Sequence, residues 1–254
     1  MKRIESVKNS FVKKMKQLYQ RKHREKEGLF LAEGFHLVEE AFNANIRIDQ
    51  FIVQEGTNLP SRIPFSGFEL TIVSKEVMKE LSSTETPQGI IAVCHLPEEE
   101  KITIEKGKKY LLVDGVQDPG NVGTLIRTAD AVGLQAVLLG SGTVDPYNEK
   151  VIRASQGSLF HLPVIKGDIG EWMKTLQAKG IPIFGTAIEK GTSYTAIERQ
   201  KEFALIVGNE GRGVNKEWLN KSDQIIYVPI YGNAESLNVS VATGILLYHL
   251  NDVR

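Results

Sequence analysis

The sequence predicts an α/β protein built on a largely parallel sheet, with a smaller α/β unit ahead of it. Three observations predict this. From Tyr110 onward, apolar runs of strand length alternate with stretches of helical periodicity. Three of those runs end in glycine-bearing turns: Asp118-Pro-Gly-Asn121-Val-Gly123, Val207-Gly208-Asn209-Glu210-Gly211, and Val228-Pro229-Ile230-Tyr-Gly232 continuing to Ser236-Leu237-Asn238. A stretch rich in Pro, Gly and charge, residues 95–109, lies ahead of this half. The expected organisation is therefore 1–97, a linker at 98–108, and 109–254.

Taken in order, Ile4, Val7, Phe11, Met15 and Leu18 recur at spacings of three and four and predict one amphipathic helix. Lys8, Lys13, Lys14, Lys16, Arg21, Lys22 and Arg24 lie off that stripe. Residues 1–26 hold ten Lys/Arg against two Glu, a local charge of +8, whereas 27–105 hold five basic against fourteen acidic residues, or −9. The net charge of zero hides this asymmetry, which points to a polyanion partner. A solvated packing helix and a membrane-surface helix are the alternatives. Strands follow at 29–32, 50–53, 69–73 and 89–94, with helices at 35–44 and 75–81. Cys94 is the one cysteine, which excludes an internal disulfide and a cysteine metal site and suits a small core residue.

Beyond the linker, strands are expected near 110–114, 136–140, 181–186, 203–208 and 225–229, and helices near 122–133, 170–179, 215–221 and 238–250. The 254 residues supply ample core. The basic N-terminus lacks the apolar segment of a signal peptide, and no apolar run approaches the ~20 residues of a membrane span. The expectation is a soluble, cytoplasmic protein.

The turns carry the candidate chemistry. In the first, Asn121 suits a helix N-cap or a ligand contact, and Gly120 and Gly123 permit close backbone approach. Leu125, Ile126, Ala129 and Val132 form the buried face of the helix that follows. Arg127 falls off it, placed either to grip a phosphate or to pair with Asp118 or Asp130. In the second turn Glu210 is a ligand contact or a solvated loop acid. In the third, Ser236 and Asn238 cap a helix, face a ligand, or do both. Small residues within that helix (Ser240, Ala242, Thr243, Gly244) predict a close helix contact, within the domain or between subunits. The G-x-G-x-x-G of a nicotinamide enzyme follows no strand, and the P-loop is absent. The five histidines lack metal-ligand spacing, and no metal is expected.

Together the three turns resemble the motifs of the SpoU branch of the SPOUT methyltransferases. Asp118 to Asp130 is similar to the first motif, Ile206 to Gly211 to the second, and Val228 to Ile230 with Ser236 to Ala242 to the third. The front of the chain is similar to the substrate-binding domain of many members, through Phe30-Leu-Ala-Glu33-Gly and Pro87-Gln-Gly-Ile-Ile-Ala-Val93. The resemblance implies a deep trefoil knot, a homodimer, and methylation of RNA ribose 2′-hydroxyls with S-adenosylmethionine. It points to ribosomal RNA first and transfer RNA second. A non-catalytic RNA-binding protein, or methylation of a base, are the competing readings. The resemblance implies catalytic roles for Arg127, Asn121, Glu210, Ser236 and Asn238. It implies cofactor contacts at Thr186, Gly208, Val228, Ile230, Leu237 and Asn238. The RNA-facing cations expected are Lys13, Lys14, Lys16, Arg21, Lys22, Arg24 and Arg153.

Overall fold

The computed structural model describes residues 2–98, 102–188 and 191–252. Two units make up the chain: Met1–Glu99 with Tyr147–Phe160, and Glu100–Pro146 with His161–Arg254.

The first unit contains, in order, β1 (Lys2–Ile4), α1 (Ser10–Gln17), α2 (Arg21–Glu27), β2 (Leu29–Glu33), α3 (Phe35–Asn43), β3 (Ile48–Gln54), β4 (Glu69–Val73), α4 (Lys75–Leu81) and β5 (Ile90–His95). Its sheet, ordered β1-β4-β3-β5-β2, is mixed: β1, β4 and β3 run parallel, and β5 runs antiparallel to β3 and β2. The single helix expected from Ile4 to Leu18 is not formed. Ile4 lies in β1, opposite Val73, and Asn9 starts α1 by accepting from the Phe11 N–H at 2.9 Å. Ile4, Met15 and Leu18 still share one core, but Val7 is exposed. Three-residue strands bury an apolar side chain as well as a helix does, so the spacing of apolar residues ran across a cap.

Arg24 corrects a second expectation. It is 3% exposed and faces inward, not toward solvent. Its Nη1 donates to the carbonyls of Leu18 and Tyr19 at 2.9 and 2.8 Å, satisfying acceptors that the end of α1 leaves without helical partners. Cys94 is fully buried in β5, and burial pushes its thiol up from its ordinary value.

The second unit follows with β6 (Lys109–Asp114), α5 (Pro119–Val132) and β7 (Ala136–Leu139). The chain then contributes α6 (Glu149–Ser155) to the first unit, before β8 (Val164–Lys166), α7 (Ile169–Ala178), β9 (Ile183–Thr186), β10 (Thr192–Ser193), β11 (Phe203–Gly208), α8 (Lys216–Lys221), β12 (Gln224–Tyr227) and α9 (Val239–Leu250). The seven strands, ordered β10-β12-β9-β11-β6-β7-β8, all pair in parallel. The central strands read as continuous apolar runs because both faces are covered. Phe203 to Val207 and Tyr110 to Val113 are all buried. Within the stretch expected to be a linker, Ile104 is buried in this unit's core, and residues 99–101 lie outside the described residues.

Neither α6 nor the edge strands β8 and β10 was expected. Tyr147 and Phe160 set their rings 4.9 and 6.0 Å from Phe30, so the segment around α6 packs on the first unit. Arg153, expected to face RNA, instead donates to Ser83 Oγ within that unit. Among the described residues no helix is long and apolar enough to cross a membrane.

Among the described residues, the backbone itself leaves no room for a Cβ at two glycines. A Cβ on Gly191 would lie 2.6 Å from the Ile225 carbonyl oxygen. At Gly208 a Cβ would lie 2.2 Å from the backbone of Gly213 and Val214, because Asn209 and Gly213 exchange both backbone hydrogen bonds and fold the turn back on β11. Gly211 meets nothing closer than Asn209 Oδ1 at 3.7 Å. Gly208→Val is therefore expected to lower stability by about 3 kcal/mol or more, since backbone cannot yield as a flexible side chain does. Gly211→Ala should stay within about 0.5 kcal/mol of the parent. Denaturant unfolding of the two variants checks this: equal midpoints would refute the assignment.

Candidate active site

The sheet places the three glycine turns at the carboxyl ends of its central strands, where open α/β sheets bind ligands. The first turn follows β6. Asp118, not Asn121, is the N-cap of α5: its Oδ1 accepts the Asn121 N–H at 2.8 Å, and Pro119 follows at the first helical position. The cap leaves the Asn121 side chain unengaged by its own helix.

That side chain joins all three turns. Asn121 Nδ2 donates to Glu210 Oε1 at 3.0 Å, and Asn121 Oδ1 accepts from Asn238 Nδ2 at 2.8 Å. Asn238 caps α9 in turn, its Oδ1 accepting the Ser240 and Val241 N–H groups. Ser240 Oγ donates to the Asn121 carbonyl at 3.1 Å. Glu210 also accepts from the backbone N–H groups of Gln117 and Asp118, at 3.2 and 3.0 Å. Partial burial pushes the Glu210 carboxyl up. Hydrogen bonds from Asn121, Asp118, Gln117 and its own N–H outweigh that and hold it below its ordinary value.

Arg127 stands exposed on α5, on the face opposite buried Leu125, Ile126 and Ala129. Neither pairing that would make it a surface fixture is formed. Asp118 is occupied as a cap, and Asp130 holds His161 Nδ1 at 3.0 Å. Arg127 has no ion-pair partner among the described residues. Ser236 lies exposed in the loop after β12 and does not cap α9. The close helix contact predicted from small residues lies within the unit: α9 packs on α5, and a Cβ on Gly244 would sit 3.9 Å from Thr128 Cγ2.

Thr186, Gly208 and Val228 fall at or just past the ends of β9, β11 and β12, three neighbouring strands. Thr186 donates its hydroxyl to the Ile206 carbonyl at 3.0 Å, which ties the end of β9 to β11. Ile230 and Leu237 remain partly open on the loop that leads to Asn238. Sequence reasoning missed Gln117 and Asn209, whose contribution is structural: Asn209 Oδ1 accepts from the Gly211 and Arg212 N–H groups and shapes the second turn. Asn in a glycine turn was a usable signal. Among the described residues no group of three His, Cys, Asp or Glu is placed to hold a metal ion.

Of the cations expected on RNA, Lys13, Lys14, Lys16, Arg21 and Lys22 are exposed. Lys14 pairs with Glu27 at 2.9 Å, Arg21 with Glu25 at 2.6 Å, and Lys16 with Glu80.

A sequence model of the SpoU rRNA Methylase family matches residues 108–248, and one of an MRM3-like substrate binding domain matches residues 9–92. The chain is 49% identical over 250 residues to the 23S rRNA (guanosine(2553)-2′-O)-methyltransferase RlmP of Bacillus subtilis (strain 168), covering 98% of this chain and 99% of that one. A crystal structure of an RNA 2′-O ribose methyltransferase superposes with a TM-score of 0.87 at 34% identity, covering 98% and 97% of the two chains. The AdoMet-bound rRNA methyltransferase from Sinorhizobium meliloti superposes with a TM-score of 0.88 at 29% identity, again covering 98% and 97%.

The pH dependence of the junction follows from Glu210. Because its folded value is lowered, its contribution to stability is complete above its ordinary value of 4.5 and is lost as pH falls through the folded value. Glu210→Gln should therefore lose stability at pH 7 and show a smaller fall on acidification than the parent. Thermal unfolding of both between pH 3 and 7 measures this, and parallel profiles would refute it.

Proposed function

The chain belongs to the SpoU rRNA methylase family; from that premise we propose that it methylates the ribose 2′-hydroxyl of a guanosine in 23S ribosomal RNA, with Arg127 as the catalytic cation. It is an RNA 2′-O-ribose methyltransferase, and its cofactor is S-adenosylmethionine. One observation carries the assignment of roles: Asn121, Glu210 and Asn238 are locked to one another, while Arg127, on the same helix as Asn121, is exposed and has no ion-pair partner among the described residues.

S-adenosylmethionine, when bound, would supply an electrophilic methyl group whose carbon–sulfur bond breaks, its electron pair staying on sulfur, as the methyl passes to the oxygen; the residues of this chain do the rest. Thr186, Gly208, Val228, Ile230, Leu237 and Asn238 hold the cofactor by backbone and apolar contacts. Asn121 and Asn238, fixed in orientation, and Ser236, exposed beside them, align the ribose. Arg127 grips the adjoining phosphate with its planar fork and stabilises the oxygen as its proton leaves and its bond to the methyl carbon forms. The proton leaves to water or to a phosphate oxygen, since guanidinium keeps its own protons.

The exposed cations of α1 and α2 supply RNA affinity. Lys13 and Lys22 have no ion-pair partner among the described residues, and exposed pairs such as Lys14–Glu27 are worth little, so RNA phosphates displace the carboxylates readily. We read the chain as a cytoplasmic homodimer. Val241 and Tyr248, seven residues apart on α9, are 53% and 62% exposed and form an apolar stripe open to a partner. The close backbone crossing at Gly191 supports the knotted threading typical of the family.

Arg127→Ala should unfold within about 0.5 kcal/mol of the parent, because the side chain is exposed. Its methyl transfer to a 23S fragment should fall by about 10²–10³-fold, the loss seen when a transition-state donor is removed. Arg127→Lys should also be poor, since an ammonium lacks the fork. Mass-spectrometric mapping of 2′-O-methyl nucleotides in 23S and transfer RNA, from cells with and without the gene, checks the substrate. A near-parental rate for the alanine variant, or methylation of transfer RNA alone, overturns the reading.

A further inference from the structure

One cleft of the second unit is not used by the roles above. It opens at the carboxyl ends of β6, β7 and β11, where the connections that follow β6 and β11 leave the sheet in opposite directions. Its volume is about 450 Å³, and its wall includes Gly115, Gly142 and Gly213, all with positive φ. None of the residues assigned to the cofactor lines it. The walls are pinned. Asn209 Nδ2 donates to the Gly115 carbonyl at 2.8 Å, Thr143 Oγ1 accepts the Gly115 N–H at 3.1 Å, and Asp114 Oδ2 accepts the Asn215 N–H at 2.8 Å. A Cβ on Gly142 would lie 3.7 Å from Gly115 Cα, so the two loops meet. The cleft is pre-formed, and its glycine wall presents backbone to whatever enters.

Three charged side chains line it: Arg212, Lys216 and Asp114. The carboxylate of Asp114 is engaged by Asn215, whereas Arg212 and Lys216 are exposed and have no ion-pair partner among the described residues. A flat surface without side chains, flanked by two available cations, fits a nucleotide: a base against the glycines and a phosphate on the cations. The cleft is also wired to the junction. Gln117, on its wall, donates its N–H to Glu210 Oε2, and Arg212 shares with Gly211 the Asn209 side chain that shapes the Glu210 turn.

We propose that this cleft binds the RNA nucleotide neighbouring the methylated one, with Arg212 and Lys216 on its phosphate, and so sets which ribose reaches Arg127. The proposal rests on the methylation reading given above. An occupant held there fixes the register of the strand against the Asn121–Glu210–Asn238 junction, which makes the cleft a selector of site as well as a source of affinity.

The test uses the full chain, a transcribed 23S fragment and S-adenosylhomocysteine. Arg212→Gln/Lys216→Gln should raise KM for RNA by about tenfold and flatten the dependence of RNA binding on salt by roughly 0.7 in log–log slope for each phosphate lost. Affinity for S-adenosylhomocysteine and the melting temperature should not change. Ser141→Trp, at the exposed edge of the cleft, should raise KM by obstruction and leave the salt slope unchanged. Parental KM and slope in the double variant overturn the proposal. Loss of S-adenosylhomocysteine binding also overturns it, by assigning the cleft to the cofactor. Binding is read apart from turnover: an inactive parent would sink the methylation reading, and the salt slope would still decide the cleft.

Discussion

The Asn121 carboxamide is the joint on which the site depends, and its orientation is forced. Glu210 as a carboxylate only accepts, so it takes the amide nitrogen of Asn121. The Asn121 oxygen is then left for a donor, which Asn238 supplies with its own amide nitrogen. That in turn leaves the Asn238 oxygen for the free N–H groups at the start of α9. A single direction of donation runs from the first turn of a helix to an anion 89 positions away in sequence from Asn121. The charge on Glu210 sets that direction. It is stabilised by two backbone N–H groups of the very turn that carries Asn121, so the network closes on itself. Networks of this kind rigidify only when every member is satisfied, and each polar atom named here has a partner.

The same closure explains why the glycine turns are so short. A side chain on Gly208 would separate β11 from the backbone at Gly213 and Val214 and carry Glu210 away from Asn121. The tight return at Asn209–Gly213 and the cap at Asp118 are therefore parts of one device. Both bring a polar side chain from a loop onto a fixed frame, the carboxyl ends of buried parallel strands.

Much of this was legible in the sequence, for reasons that differ by element. The central strands β6 and β11 carry continuous buried apolar runs, Tyr110 to Val113 and Phe203 to Val207, as burial on both faces allows, and Arg127 falls off the periodic face of α5 by simple counting. The junction residues were named, but their mutual hydrogen bonds were not foreseeable, since Asn121 and Asn238 are 117 residues apart. Asn121 was also a plausible cap until Asp118 claimed that place. The failures share one cause. Ile4 and Arg24 were assigned by position along a pattern, and Arg153 was expected on RNA with no neighbour in view; tertiary context decided otherwise: β1 needed a partner on β4, the end of α1 needed a donor, and α6 joined a unit far from it in sequence. Edge strands as short as β8 and β10 contain too few residues for any period to register.

A site that locks three polar residues and leaves its arginine loose is suited to methyl transfer in particular. The attacking oxygen gains negative character as its proton departs, and the methyl donor is positively charged, so charge is neutralised as the new bond forms. A poorly solvated site favours such a step. It also means that a bare guanidinium would be counterproductive: a cation that holds the oxygen's charge too tightly makes it a weaker nucleophile. In the proposed reaction Arg127 would be shared between a phosphate and the 2′-oxygen, which avoids this, because the phosphate would take part of its charge and fix its plane. On that proposal the substrate completes the catalytic group. The proposal accounts for Arg127 standing without an ion-pair partner among the described residues while Asp118 and Asp130 are engaged elsewhere: a carboxylate on the arginine would compete with an RNA phosphate.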